Sequence, residues 1–566
     1  MSKLTVLCGN SQINLTDNDY LASGGEAKIY TKGNLAFRIQ HDPSTLPPLA
    51  KLEELMHIQS NYVIKPIEFI RNPKSNTEIG FTMQYLRETE PAVKYFATTY
   101  RKSVGFGTND SWSLSQQILE TVQSVHDDHC LIVDLNPMNV LIPNSNRHVG
   151  YFIDTASWKT PTYPATAIMD SISDPLVKGG NFTEMSDWYS YATLTFQLLT
   201  TIHPYKGIHP QYKADWQTRK KQLASVFDKG VILPPSTIPF STIPIRQLEW
   251  YKAIFMRGER SVPPSATSSA IIPVPAVAVM PLNNKGNFKV EEYMQFSHTI
   301  YEAFAYGGTE FFSGEDGIYD KADTLRYKKQ HKKARLFLLP TSSPIVLIVG
   351  ELTHDRIYLY TLDGKLIQEE DCLGAFVKYN ILYLRHTDCI SSNRFIIYGD
   401  RIIRNTEKVE DVSVNTTKLF DGVIVQSLLN QTFISLPLSN GYTRVIQIKE
   451  LANLRIIDAK GMEDTVILIS EVKGVFKRHV LLFQDIENND IYDYRNVADV
   501  TYAGINATAV PRGPKIIYEN DSVEVFTTIS NTRVLTDVPL DSGMSLYFYN
   551  GVKFINNTTI YKFSMK

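Results

Sequence analysis

Cysteine is scarce in this chain, net charge is almost nil, and no apolar run is long. The four cysteines, Cys8, Cys130, Cys372 and Cys389, keep no metal-ligand or redox spacing. That argues against a disulfide framework or a zinc module and points to free thiols in a reducing compartment. With 57 basic against 59 acidic residues the formal net charge is -2. A surface that attracts nucleic acid or anionic membrane as a whole is excluded, although a local patch is not. The longest apolar stretch, Ala270 to Met280, has 11 residues and contains Pro273 and Pro275, short of the roughly 18 a membrane helix needs. The start, Met1-Ser2-Lys3-Leu4-Thr5-Val6-Leu7, reaches polar residues too soon for a signal peptide. Sequons at Asn14, Asn181, Asn415, Asn430, Asn506 and Asn556/Asn557 are then chance products of an asparagine-rich chain. Tryptophan is missing after Trp250, all five lying in the first 250 residues, which suggests two cores built from different materials.

What is present fits that division. The 566 residues are too many for one core, and 43% hydrophobic with 20% charged residues is a globular make-up. A Pro/Ser/Ala-rich stretch, Ser261 through Pro281, resists helix and marks a boundary. The division is residues 1–262, a linker at 263–284, and residues 285–566.

In the first part, β-like runs at Lys28-Ile29-Tyr30, Leu35 to Ile39, Val63 to Ile67 and Ile79 to Met83 precede helical patterns. Leu49 to Ile58 carries the stripe Leu49, Leu52, Leu55 and Met56. Leu114, Ile118, Leu119, Val122 and Val125 mark a longer helix from Ser113, and Asp187 to Thr201 a third that is buried on most sides. This is an α+β order. The second part is short strands with turn pairs, such as Arg356 to Tyr360, Asp363-Gly364 and Leu366-Ile367, or Leu546 to Tyr549, Asn550-Gly551 and Val552 to Phe554. Its length suits about six or seven four-stranded repeats of about 40 residues. A β-propeller is expected, with a large sandwich or a β-solenoid as the alternatives. Val290 to Phe304 reads either as a strand of the first repeat or as a lead-in helix.

The most informative stretch runs from Leu131 to Ile142. A short strand, Leu131-Ile132-Val133, delivers Asp134; a tight turn follows, and Asn139 stands five residues on, before another strand. Tyr151-Phe152-Ile153 then ends in a second carboxylate, Asp154. Phosphoryl transfer needs such a set: one carboxylate orients the attacking hydroxyl, and a second with an amide oxygen holds a metal against the phosphates.

On these residues the chain resembles the protein-kinase-like superfamily over residues 15 to 265, in a form similar to bacterial and phage-encoded members, including those coupled to helix-hairpin-helix modules. The resemblance implies a two-lobed domain binding ATP and Mg2+. Asp134 falls at the catalytic aspartate, Asn139 and Asp154 at the metal ligands, Asp187 at the brace of the catalytic loop, and Arg260 at the structural arginine of the second lobe. Leu21 to Tyr30, with Gly24-Gly25, matches the glycine-rich loop, and Arg38 stands where the strand lysine grips the phosphates. Glu53 or Glu54 would pair with Arg38, Glu54 being the choice. Lys28 adds charge at the nucleotide if it turns inward, and both orientations stay open. Met83, Tyr85 and their neighbours would hold the adenine through main-chain contacts. The departures are Arg38 for lysine, Ile132 for histidine, Asn136 for lysine, and Thr155-Ala156 for Phe-Gly.

Two functions follow from the resemblance. One is an ATP- and Mg-dependent kinase acting on a protein or small-molecule hydroxyl, with the propeller recruiting substrate or partner through loops such as Gly308 to Gly317 or Thr387 to Arg394. The other is a pseudokinase scaffold or component of a larger assembly. Cytoplasm or a viral particle is the expected setting, with no membrane association. Nucleic acid is the weakest option, resting on Lys328-Lys329-Gln330-His331-Lys332-Lys333. His203, beside Pro204, reads as a packing residue.

Overall fold

The computed structural model describes residues 3–23, 26–166, 168–212, 216–234, 237–264, 288–341, 345–398, 401–412, 416–472, 475–498, 500, 504–519, 522–535, 538, 540 and 543–565. The Gly24-Gly25 turn, most of the expected linker, and the Gly399-Asp400 and Asn520-Asp521 turns lie outside them. Contacts between Cα atoms divide the chain into two compact units. One comprises Met1–Asp19, Gly24–Arg101 and Phe106–Pro281; the other comprises Tyr20–Ser23, Lys102–Gly105 and Leu282–Lys566. The N-terminal part is mixed α+β and the C-terminal part all-β.

The N-terminal sheet runs in the order Ser11–Thr16, Lys3–Cys8, Pro66–Arg71, Glu78–Gln84, Leu35–Gln40, Ala27–Lys32, Tyr20–Ser23. Its register decides what faces the site. Ile29 pairs with Arg38 and Arg38 with Phe81, while Ala36 pairs with Met83. Opposed residues share a face and successive ones alternate, so Arg38, Ala36, Ile29, Phe81 and Met83 line one side. The other carries Phe37 and Ile39, both buried. Gly80 lets the central strands meet closely, since a Cβ there would lie 1.9 Å from the Arg38 carbonyl oxygen. The strand expected at Val63 to Ile67 begins only at Pro66. Upstream of it, Val63 makes a single bridge to Phe152.

Three helices build the rest of that unit's core. Thr108–Asp127 starts where the Asp110 carboxylate accepts from the Gly107 N–H at 2.8 Å, closing an otherwise unsatisfied terminus. Leu114, Ile118, Val122 and Val125 form its buried stripe. Glu184–Thr200 is buried on nearly every side, its threonine hydroxyls donating back to helix carbonyls, as Thr193 does to Tyr189 at 3.1 Å and Thr195 to Tyr191 at 2.7 Å. Ile245–Phe255 packs against it, with Tyr251 edge-on to Phe196 at 5.3 Å.

Among the described residues the C-terminal unit holds seven four-stranded antiparallel sheets. Six use consecutive strands; the seventh joins the first strand after residue 282, Phe288–Gln295, to the last three, ending at Thr559–Met565. Thus Val290 to Phe304 is two strands, Phe288–Gln295 and Ile300–Tyr306, with no lead-in helix. Among the described residues seven apolar clusters lie at the interfaces, each between successive sheets. Phe337, Ile348 and Leu359 meet Leu382 and Phe395; Val425 and Leu436 meet Val466 and Leu481. In another, Ile555 and Ile560 of the last sheet pack on Ile300 and Phe312 of the first. Two expected binding loops are mostly strand: Thr309–Gly314 fills much of Gly308 to Gly317, and Cys389–Tyr398 much of Thr387 to Arg394. Among the described residues no helix is long and apolar enough to cross a membrane.

Candidate functional site

Residues 131–134 do not form the expected strand; Leu131 makes only a bridge with Lys159. Their amides are taken by a side chain instead. The Asp187 carboxylate, fully buried at 0% exposure, accepts from the Ile132 N–H at 2.7 Å and the Val133 N–H at 2.8 Å, with His126 Nε2 at 3.0 Å. Val133 is thereby held at φ +62°, a cost that a β-branched residue bears only where its surroundings impose it. This bracing presents Asp134 at the mouth of the loop.

Asp134 is 8% exposed, and both its oxygens are engaged. Oδ2 accepts from Asn136 Nδ2 at 2.7 Å and Asn139 Nδ2 at 3.3 Å, and Oδ1 from the Met169 N–H at 2.8 Å. Burial pushes this carboxyl above its ordinary pKa, the three hydrogen bonds partly offset that shift, and the nearby Asp154 charge adds to it. Asn136 also shapes the turn, its Oδ1 accepting from the Met138 and Asn139 amides at 2.8 and 3.1 Å. Because Asn139 donates Nδ2 to Asp134, its Oδ1 is the atom left for a cation.

Asp154 follows the short strand Tyr151–Phe152 and adopts φ +61°, a conformation that Asp tolerates better than most residues. Its Oδ1 lies 3.2 Å from Arg38 Nη1, and Arg38 Nη2 reaches Glu26 Oε2 at 3.0 Å. The Arg38 guanidinium also sits over the Phe81 ring at 5.9 Å. Its Nε is buried with no hydrogen-bond partner among the described residues. Arg38 and Asp154 thus meet directly, and Asp134 and Asn139 meet directly; the Asp154 charge acts on Asp134 across the gap.

Other expected residues stand elsewhere. The ion pairs of Arg38 go to Glu26 and Asp154, so neither Glu53 nor Glu54 fills that role; Glu54 accepts from the Thr162 N–H at 3.3 Å. Helix Leu49–Met56 turns its buried stripe inward and leaves Glu53 exposed. Lys28 pairs with Ile39 and so lies on the sheet face opposite Arg38. Met83 shares the Arg38 face, whereas the Tyr85 N–H already donates to the Asn34 carbonyl at 2.9 Å. Gly24 and Gly25 lie outside the described residues. Glu26 and the Met169 amide went unnoticed in the sequence. Glu26 had one usable signal, a carboxylate directly after the glycine pair, but a main-chain donor leaves no mark in residue type.

The segment after Asp154 is held at several points. Lys220 Nζ donates to the Asp170 carbonyl and, at 3.0 Å, to Ser173 Oγ; His203 Nε2 lies 3.2 Å from the Ser171 carbonyl. Ser190 Oγ donates to the Ile172 carbonyl at 3.0 Å, and Asp174 takes a two-pronged pair from Arg260 at 2.5 and 2.6 Å. His203 is thus a packing residue, and burial holds it well below its ordinary pKa.

Among the described residues no three His, Cys, Asp or Glu side chains gather as a metal site. The set here is two carboxylates and an amide, with Asp154 42% exposed at its side chain. Hard oxygen donors few in number suit a cation that keeps water and takes phosphate oxygens. No protein-family model matches the chain, and no curated protein matches it.

Proposed function

We propose that residues 1–262 form a protein-kinase-like domain that carries out ATP- and Mg-dependent phosphoryl transfer to a hydroxyl of a protein or small molecule. The supporting observation is the Arg38–Asp154 pair at 3.2 Å, which joins the phosphate-gripping strand to the metal-ligand position. Asn139 Oδ1 and Asp154 would hold the cation, which when bound supplies charge neutralisation at the phosphate oxygens. Arg38 swings from its carboxylate partners to the phosphates, keeping its charge through a planar fork that lysine lacks. Asp134 orients the acceptor hydroxyl and takes its proton as the new O–P bond forms and the bond to the ADP oxygen breaks. A carboxyl whose pKa burial has raised suits proton acceptance. The acceptor must first displace the Met169 N–H from Oδ1.

In the same reading the all-β unit is a seven-bladed β-propeller that recruits a partner. Seven four-stranded sheets, the first strand paired with the last, and apolar packing of the last sheet on the first support it.

A second reading, a scaffold that binds nucleotide without turnover, draws on the three donors saturating Asp134. The two separate by γ-phosphate transfer from labelled Mg-ATP to the chain itself, to a generic acceptor protein and to water. Transfer that Asp134→Asn abolishes supports the enzyme. Saturable nucleotide binding with no transfer, indifferent to that substitution, supports the scaffold.

A further inference from the structure

One end of the all-β unit carries a cavity that phosphoryl transfer does not use. It has a volume of about 310 Å³, within the range of ligand-sized clefts, and lies where turns of the first four sheets meet; Tyr306, Pro340, Tyr379, Asn380, Arg394 and Ser439 are among its lining residues. Arg394 is its cation. Nη2 of that residue donates to the Ser439 carbonyl at 3.3 Å, and among the described residues no carboxylate pairs with it. The rim acid Glu487 is turned to Ser439 Oγ at 3.3 Å, with the neighbouring Asp490 paired to Arg444 at 2.8 Å. Among the described residues this long carbonyl contact is the one hydrogen bond of the Arg394 side chain, which leaves guanidinium donors free for a bidentate anion.

The surface beyond the cavity says what kind of anion. Arg394 lies on strand Cys389–Tyr398, so Ile396 and Tyr398 share its face. Opposite them the register places Asn405, Ile403 and Arg401 on that same face. Ile396, Ile403 and Tyr398 are 41%, 40% and 76% exposed, which makes an apolar strip beside Arg394. From Arg394 to Tyr398 the strip runs about 13 Å at roughly 3.3 Å per residue, the span of about four residues of extended chain. That is too long for a small anion and suits a peptide.

We propose that this cavity and the adjoining hairpin face bind an extended peptide that carries a carboxylate side chain beside large apolar residues. The carboxylate enters the cavity against Arg394, and the apolar residues lie along Ile396, Ile403 and Tyr398. This deepens the recruiting role given above to the all-β unit and depends on none of the phosphoryl-transfer chemistry.

The test uses the full chain on a synthetic array of acetylated octapeptides whose four central positions vary over Asp, Glu, Lys, Leu, Phe, Tyr and Ser. The expected selection is an acid flanked by Leu, Phe or Tyr. In solution, fluorescence anisotropy with the best peptide should show about tenfold or greater weakening for Arg394→Gln, as loss of a charge-assisted hydrogen bond gives. Changing the peptide's acid to its amide should cost the same in the parent chain and nothing further in Arg394→Gln. Tyr398→Ser, on the exposed strip, should weaken binding while keeping the preference for acid. Selection of basic or purely polar peptides, no selection, or unchanged affinity in Arg394→Gln overturns the proposal. Mg-ATP titration of Arg394→Gln keeps the two readings apart, because nucleotide binding should match the parent whichever way the peptide result falls.

Discussion

Three donors meet the two oxygens of Asp134, and the one that comes from the chain after Asp154 is the Met169 amide at 2.8 Å. In the proposed reaction a hydroxyl acceptor would need that oxygen, so the contact would restrain transfer. Met169→Pro removes the donor while Met169→Ala keeps it. In a γ-phosphate assay the proline variant should transfer faster than the parent and the alanine variant should match it; equal rates in all three would remove the restraint from the account. Asp187 works through the backbone. Replacing it by alanine strands two buried N–H groups, at about 1–3 kcal/mol each, so chemical denaturation should show a loss of about 3 kcal/mol or more. Asp187→Asn keeps an oxygen acceptor and should lose less. At this scale the meeting of Asp134 with Asn139 and the bracing of the loop by Asp187 were legible, because each contact is made by a side chain whose place in the order could be read. Glu26 and the Met169 amide were not, since one looked like an ordinary loop acid and the other is a main-chain donor that any residue but proline offers. The sheet register that turns Lys28 away from Arg38 likewise depends on strand pairing, which residue types alone leave open.

At the scale of elements, the short helix Trp216–Lys221 buries Lys220 against the segment at 170–173. Burial pushes its ammonium down to about 8 from the ordinary 10.5. The folded chain gives up that proton before the unfolded chain does. Below about pH 8 both states are charged and burial costs stability in full; the cost fades as pH rises through about 8 to 10.5. Stability from this group therefore rises with pH over that window, and Lys220→Met should be flatter there than the parent in thermal denaturation. A parallel pair of curves would mean the lysine is not desolvated. In the other unit, Phe288 joins the first strand to the last, stacked on Phe563 at 4.7 Å. Phe288→Ala should cost about 3–5 kcal/mol, as large-to-small changes in a filled core do; a loss under 1 kcal/mol would mean the seventh sheet closes without it. The strand pattern and its turn pairs announced this all-β part. The short strand expected at Leu131 to Val133 did not form, because a buried carboxylate, distant in sequence, took the amides a neighbouring strand would have used.

For the whole molecule, two kinds of core follow the loss of tryptophan after Trp250. The aromatic helical core around Trp188, Tyr191, Trp250 and Tyr251 belongs to the first unit, and the β-branched and leucine clusters to the second. That partition was readable from composition. The number of sheets was bounded at six or seven by length alone; the pairing of the first strand with the last, some 270 residues apart, left no local trace. The basic run at 328–333 is divided by the fold. Lys328 ends a strand, and His331 donates its backbone N–H to the buried Glu351 at 2.9 Å, with its ring Nδ1 at 2.7 Å. The run therefore belongs in part to the internal bracing of the all-β unit, while Lys328, Lys332 and Lys333 stay exposed.

The central claim is that Arg38, Asn139 and Asp154 make one site for a metal-bound nucleotide. Calorimetric titration of ATP with and without Mg2+, on the parent, Arg38→Met and Asp154→Asn, addresses it most directly. The expected result is saturable binding in the parent that needs the metal and weakens about tenfold or more in each variant, the scale of a lost charge-assisted contact. Equal affinity with and without Mg2+, or variants that bind as the parent does, would contradict it.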